Sequence, residues 1–310
     1  MSTTYYDRPM LKAPVWEIDI PIYYFLGGAA GAALALGAAA QFDGDVRLKK
    51  LVQRCHWVGI IGSTTGGILL VRDLGRPERF LNMLRVFRPT SPMNVGAWIL
   101  SGAAPLAITA GVLNGRKGLL GTVGHVAGYG AGLFGLGLAG YTGVLVANTA
   151  IPVHQHSRRI LPVLFLASAA ASAASILDLV WQDPRASRIT FTFGTAGRLA
   201  ELAAGYVMES NAARLPRVAL PLQQGLSGAL WKAATVLTAA SLVISLIPGN
   251  WRSRRRWAGA VGALGSLCVR LGVHYAGAAS ARDPRASFEP QRRGLARLKS
   301  GKIGTSLGEA

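Results

Sequence analysis

Eight runs of apolar residues, each near the length a helix needs to cross a bilayer, divide the 310-residue chain: about 20–40, 52–71, 95–113, 121–147, 160–180, 195–209, 228–247 and 257–280. A helix rises 1.5 Å per residue through a hydrocarbon layer about 30 Å thick, so roughly 20 apolar residues span it. Only 15% of the residues are charged, too few to wet the surface of a soluble protein of this size. The 39 glycines suit close helix packing in lipid. The pattern predicts an all-α integral membrane protein, a bundle of about eight transmembrane helices over residues 1–280, followed by a basic, flexible tail at 281–310. The sixth run carries Arg198 and Glu201, which a bundle interior can hold as a pair.

The net charge of +19 comes from Lys and Arg scattered among short connectors, not gathered on one face. This is membrane-flanking charge, with no nucleic-acid partner implied. An even number of spans puts both termini on one face, here face A. The short loops carry twelve basic residues on face B and eleven on face A before the tail, so loop charge does not orient the chain. Cys55 and Cys268 stand far apart and no CxxC occurs, which excludes a disulfide framework, a zinc site or iron–sulfur ligation. The start of the chain lacks a basic n-region and cleavage site, so the first span is expected to be retained. The pentapeptide Asp-Pro-Arg-Ala-Ser occurs at 183–187 and 283–287, and each copy reads as helix-ending chemistry.

The connector at 72–94 is unlike its surroundings, with Arg72, Asp73, Arg76, Arg79, Arg85, Arg88 and three prolines between two apolar runs. Such a segment does more than join two spans. Polar residues within spans are costly and mark function or helix-to-helix hydrogen bonds. Tyr23 and Tyr24 open the first span as interfacial anchors or ligand contacts, and Trp98 is a belt residue or a ligand wall. The fourth span ends on face A with Tyr141, Thr142 and Asn148, where Tyr141 needs a partner for its hydroxyl. His274 lies within two turns of the same face. Nearer face B, Asp178, Arg198 and Glu201 form either a proton path or a structural pairing. His56 and His125 could ligate haem if they faced each other, whereas His154 and His156 are read as loop residues. No nucleotide loop or nucleophile elbow is present.

Asp73-Leu74-Gly75-Arg76-Pro77, the run from Phe80 to Phe87, Arg88 to Met93 and Gly96-Ala97-Trp98 resemble the NrfD-type membrane subunits of polysulfide reductase-like complexes. Tyr141 to Leu145 and Leu161 to Ser168 extend the likeness. The resemblance implies a multi-pass anchor of the plasma (inner) membrane that reacts with quinone, menaquinone or ubiquinone, in a respiratory electron-transport complex. It implies no haem or iron–sulfur cluster in this chain and no complete enzyme without partners. Those partners would be an extrinsic four-cluster iron–sulfur protein and a molybdopterin catalytic subunit, with membrane lipids around them. Tyr23, Tyr24, Arg72, Asp73, Trp98, Tyr141, Thr142, Asn148 and His274 would then surround the quinone. Asp73, Tyr141 and His274 would take the catalytic roles, the last two on the quinone oxygens and Asp73 as a proton relay or an anchor for an arginine. Arg76, Arg79, Arg85 and Arg88 would meet the partner or lipid phosphates. Family members can use polar first-span residues as quinone ligands, and here that span has no histidine. A haem b subunit and a proton-conducting or structural anchor stay open as alternatives.

Overall fold

The computed structural model describes residues 11, 16–180, 183–247, 251–286 and 288. Among them the chain forms α1 (Asp19–Asp43), α2 (Lys49–Asp73), α3 (Glu78–Met83), α4 (Pro92–Leu113), α5 (Gly118–Ala147), α6 (Pro152–His156), α7 (Leu161–Asp178), α8 (Pro184–Ala213), α9 (Pro216–Gln223), α10 (Gly225–Leu246) and α11 (Trp251–Arg282). No strand occurs among the described residues. The tail from 289 onward lies outside them.

The eight long helices coincide with the eight apolar runs. Five of them, α1, α4, α5, α7 and α10, are long and apolar enough to cross a membrane by length and composition. The other three, α2, α8 and α11, carry charges that lower their hydropathy. In α8 and α11 several of these charges point inward: Arg198, Glu201 and Arg270 are all buried. A charge facing a bundle interior costs less than one facing lipid.

The long helices form two four-membered rings. In the first, α1 packs on α2 and α5, and α4 completes the ring against the same two; in the second, α7 and α10 both pack on α8 and α11. The rings meet where α1 and α5 lie against α7 and α1 touches α11. Backbone approaches backbone between α1 and α5: a Cβ on Gly31 would come within 2.5 Å of the Ala139 nitrogen and the Gly135 carbonyl. Only glycine permits that crossing, and it places the aromatic start of α1 in the middle of the protein.

Two expectations need correction. The repeated pentapeptides begin helical turns and do not end them. Asp183 caps α8 by accepting the Arg185 main-chain N–H at 3.0 Å, with Pro184 at the first helical position, and Asp283 accepts from Arg285 at 2.9 Å in the same way. An Asp followed by Pro suits a helix start because the side chain satisfies a free N–H and proline has none to lose. His154 and His156 are also not loop residues, since they belong to α6. Nε2 of His154 donates to the Val273 carbonyl of α11 at 3.2 Å, and Nε2 of His156 donates to the Asn211 carbonyl of α8 at 2.8 Å. The short helix is thereby tied to the second ring.

Candidate functional site

At the face-A end, α1, α5, α7 and α11 bring together a cluster of aromatic rings around one guanidinium. Tyr23 and Tyr24 are adjacent on α1 and both buried, with ring centroids 6.1 Å apart. Tyr23 stands 6.5 Å from Tyr141 of α5, and Tyr24 meets the edge of Phe165 of α7 at 6.0 Å. Tyr141 fits because α4 presents Gly96 against its ring, where any Cβ would collide. Arg270 of α11 lies over the Phe165 ring, 3.9 Å from its centroid, and donates Nη2 to the Phe165 carbonyl at 2.7 Å. Gly28 leaves room for that guanidinium, since a Cβ there would stand 3.1 Å from Nη2.

The cluster is rich in donors without acceptors. The hydroxyls of Tyr23, Tyr24 and Thr142 and the Nε and Nη1 atoms of Arg270 are buried and make no hydrogen bond. Each such group costs about 1–3 kcal/mol when left unpaired. Five of them, on α1, α5 and α11, hold hydrogen-bonding capacity that a molecule bearing acceptor oxygens would satisfy. One turn further along α11, His274 is buried with Nδ1 unpartnered, its ring 6.4 Å from that of Trp16.

Toward face A the cluster is bordered by charge. Arg72, at the end of α2, holds Asp19 at the start of α1 through Nε (2.7 Å) and Nη2 (3.0 Å). Asp73, half-buried at the end of α2, lies within electrostatic reach of Glu17, Asp19 and Tyr24. Beyond it the connector is fastened by Asn94, whose amide donates to the Met83 and Val86 carbonyls (2.6 and 3.0 Å) while its oxygen accepts the Arg88 N–H at 2.7 Å. Arg76, Arg85 and Arg88 are exposed; the side chain of Arg79 lies outside the described residues.

Two residues expected in the site stand apart. Trp98 points outward and packs edge-on against Phe87 at 6.0 Å. Asn148 is exposed and donates to the Val144 carbonyl of its own helix at 2.8 Å.

A second buried group lies toward face B. Asp178, at the end of α7, accepts from Nη2 of Arg255 and stands 3.9 Å from Arg198. Arg255 also donates to the Ser187 carbonyl (2.6 Å) and to Thr190 (2.7 Å), and Arg198 donates to Ser175 at 3.0 Å. Glu201 turns elsewhere and accepts from Thr238 of α10 (2.6 Å) and Ser266 of α11 (3.0 Å). The supposed Arg198–Glu201 pair is therefore not the contact made: the two side chains leave α8 toward different helices. Arg198 acts electrostatically on both acids, and Arg270 on Glu201 and Tyr24. Tyr24, Arg270, Glu201, Arg198 and Asp178 are thus a series of buried ionisable groups within electrostatic reach of one another, with half-buried Asp73 at its face-A end.

His56 and His125 both line a hollow of about 840 Å³ at the face-B end of the first ring. His125 meets the Gln41 amide at Nδ1 (3.0 Å), and His56 is buried with both ring nitrogens unpartnered. Among the described residues no group of three or more His, Cys, Asp or Glu could hold a metal ion.

Arg270, Asp19, Asn94 and Arg255 escaped the sequence reading. Arg270 carried a signal, an arginine in the middle of an apolar run four residues before His274. Asp19 and Asn94 carry weaker signs, an acid and an amide at helix starts, and Arg255 stands in a basic run, Arg252 to Arg256, that reads as membrane-flanking charge.

Five helices long and apolar enough to cross a membrane define a multi-pass membrane protein, with the buried donor cluster near one end of its helices. The chain belongs to the polysulphide reductase, NrfD family, whose sequence model it matches over residues 8–277. That family comprises membrane subunits of polysulphide reductase-like oxidoreductase complexes. A search of curated proteins finds no match to the chain.

Proposed function

We propose that this protein is the quinone-reactive anchor of such a complex, with all eight long helices crossing the plasma (inner) membrane. It exchanges two electrons and two protons between a membrane quinone, menaquinone or ubiquinone, and the nearest cluster of an extrinsic four-cluster iron–sulfur protein, which in turn serves a molybdopterin subunit. The observation that carries this reading is the set of buried, unpaired donors on Tyr23, Tyr24, Thr142 and Arg270. A quinone offers what they lack: two carbonyl oxygens on a flat ring able to lie among aromatic side chains.

The chain's own part is electrostatic and protonic. Arg270 and the tyrosine hydroxyls hold hydrogen bonds toward oxygens that gain negative charge as electrons arrive, which stabilises that charge where water is excluded. Protons reach those oxygens from Asp73 on the face-A side or along Glu201, Arg198 and Asp178 from face B, and His274 stands one turn from Arg270 as a further donor. The exposed Arg76, Arg85 and Arg88 suit a partner surface or lipid phosphates.

The test compares quinone-linked turnover of the assembled complex with dye-linked activity of its extrinsic subunits. Asp73→Asn and Tyr141→Phe are expected to lower the first and spare the second. If a quinone analogue neither binds nor inhibits the complex, the assignment fails.

A further inference from the structure

We propose that the lipid-facing groove between α2 and α4 receives the isoprenoid tail of the quinone; the inference rests on the headgroup site described above. The groove has a volume of about 730 Å³ and an almost wholly apolar lining. Its walls are Gly67, Ile68 and Val71 on α2 and Leu100, Ala104 and Ile108 on α4. Ile68 and Ile108 are exposed, so the groove opens toward lipid, whereas Leu100 is buried and forms its floor. From Ser63 to Arg72 it follows α2 for roughly 13 Å at the helical rise.

Two features join the groove to the donor cluster. First, the wall between them is bare backbone at Gly66 and Gly67. A Cβ on Gly66 would stand 3.0 Å from the Tyr23 ring, and one on Gly67 would stand 3.5 Å from Leu100 in the groove floor. Second, Arg72 lines the groove's face-A end and is the residue that holds Asp19 at the start of α1. Pro105, inside α4, takes an N–H out of the helix ladder at this wall, where a helix without it would be stiffer. A slot that is almost wholly apolar and is divided from the Tyr23 ring by bare glycine backbone fits an amphiphile with a hydrocarbon chain and an oxygen-bearing head.

The test uses Gly67→Leu and Ala104→Leu in the assembled complex, with a long-tailed quinone and one whose tail is cut to two carbons. Both positions are half-buried in the groove lining, and a Cβ at Gly67 meets Leu100 at an ordinary 3.5 Å, so the added volume goes into the groove; melting curves of both variants check that the fold is kept. Filling the groove is expected to raise KM for the long-tailed quinone about tenfold and leave the short-tailed KM within twofold. Equal effects on both quinones, or none on either, overturn the groove assignment while leaving the headgroup reading intact. Wild-type complex that turns over neither quinone defeats the headgroup reading, and the tail slot falls with it. A photoreactive isoprenoid analogue gives an independent readout. Labelling between residues 63 and 72 that long-tailed quinone displaces supports the proposal, and labelling displaced by phospholipid alone marks a lipid acyl slot and overturns it.

Discussion

Arg270 reaches Phe165 twice, donating Nη2 to its carbonyl at 2.7 Å and lying 3.9 Å above its ring. The contact fixes the guanidinium plane yet leaves Nε and Nη1 without acceptors. Arg270→Met is therefore expected to keep or raise the melting temperature, because it removes a poorly satisfied buried cation and keeps the volume. Quinone-linked turnover should fall on the order of 100-fold through loss of a donor. A variant that loses stability but keeps turnover refutes the role.

The Asp19–Arg72 pair is unequal. The Arg72 side chain is 70% exposed and that of Asp19 only 7%. Arg72→Ala strands a buried carboxylate, at a cost of about 1–3 kcal/mol, whereas Asp19→Asn leaves an arginine that water still solvates. Melting curves should rank Arg72→Ala clearly below Asp19→Asn. The reverse order would mean that the pair does not hold the start of α1.

Burial lowers the pKa of His154, in the α6 connector, from 6.5 to about 4. The unfolded chain then takes up the proton before the folded one does, so stability is full above pH 6.5 and declines as pH falls toward 4. The loss approaches about 3 kcal/mol at the acid end. Thermal melts from pH 7.5 to 4.5 should show a decline that His154→Gln makes shallower. Parallel curves for the two proteins would place the acid sensitivity elsewhere.

His56 is enclosed with both nitrogens unpartnered, while Nδ1 of His125 accepts from the Gln41 amide. The purified chain is expected to show no Soret band, and His56→Leu to raise stability by about 1 kcal/mol, because it removes an unsatisfied buried polar group. A Soret band that His56→Leu abolishes would establish the haem reading instead.

The helices were legible because a bilayer imposes a length and a composition on each span. All eight apolar runs became long helices, and the run at 195–209 proved to be the middle of α8, whose polar first turns meet Arg255 and hid its beginning. Tyr23, Tyr24, Tyr141 and Thr142 were legible as polar groups in apolar segments near one face. Arg270 was not, although it shares their signal, because convergence of α11 on α1 and α7 is a tertiary fact with no period in the sequence. Trp98 and Asn148 show the converse: residues near the right face whose side chains turn outward, a direction that hydropathy does not encode.

Asp178 and Glu201 separate structure from proton transfer. Asp178 balances two buried arginines, Arg255 and Arg198, so Asp178→Asn leaves uncompensated charge and should cost about 3–5 kcal/mol. Glu201 is held by two hydroxyls, Thr238 on Oε1 and Ser266 on Oε2; in a glutamine the amide oxygen accepts from one, and the amide NH2 donates to the other, whose oxygen can accept. Glu201→Gln should therefore melt within a few degrees of the wild type. If the series of ionisable groups carries protons, this quiet substitution nonetheless slows quinone turnover, and the slowing deepens as pH rises and proton supply becomes limiting. Turnover of Glu201→Gln that follows the wild type at every pH would confine Glu201 to packing and leave Asp73 and His274 as the remaining proton donors.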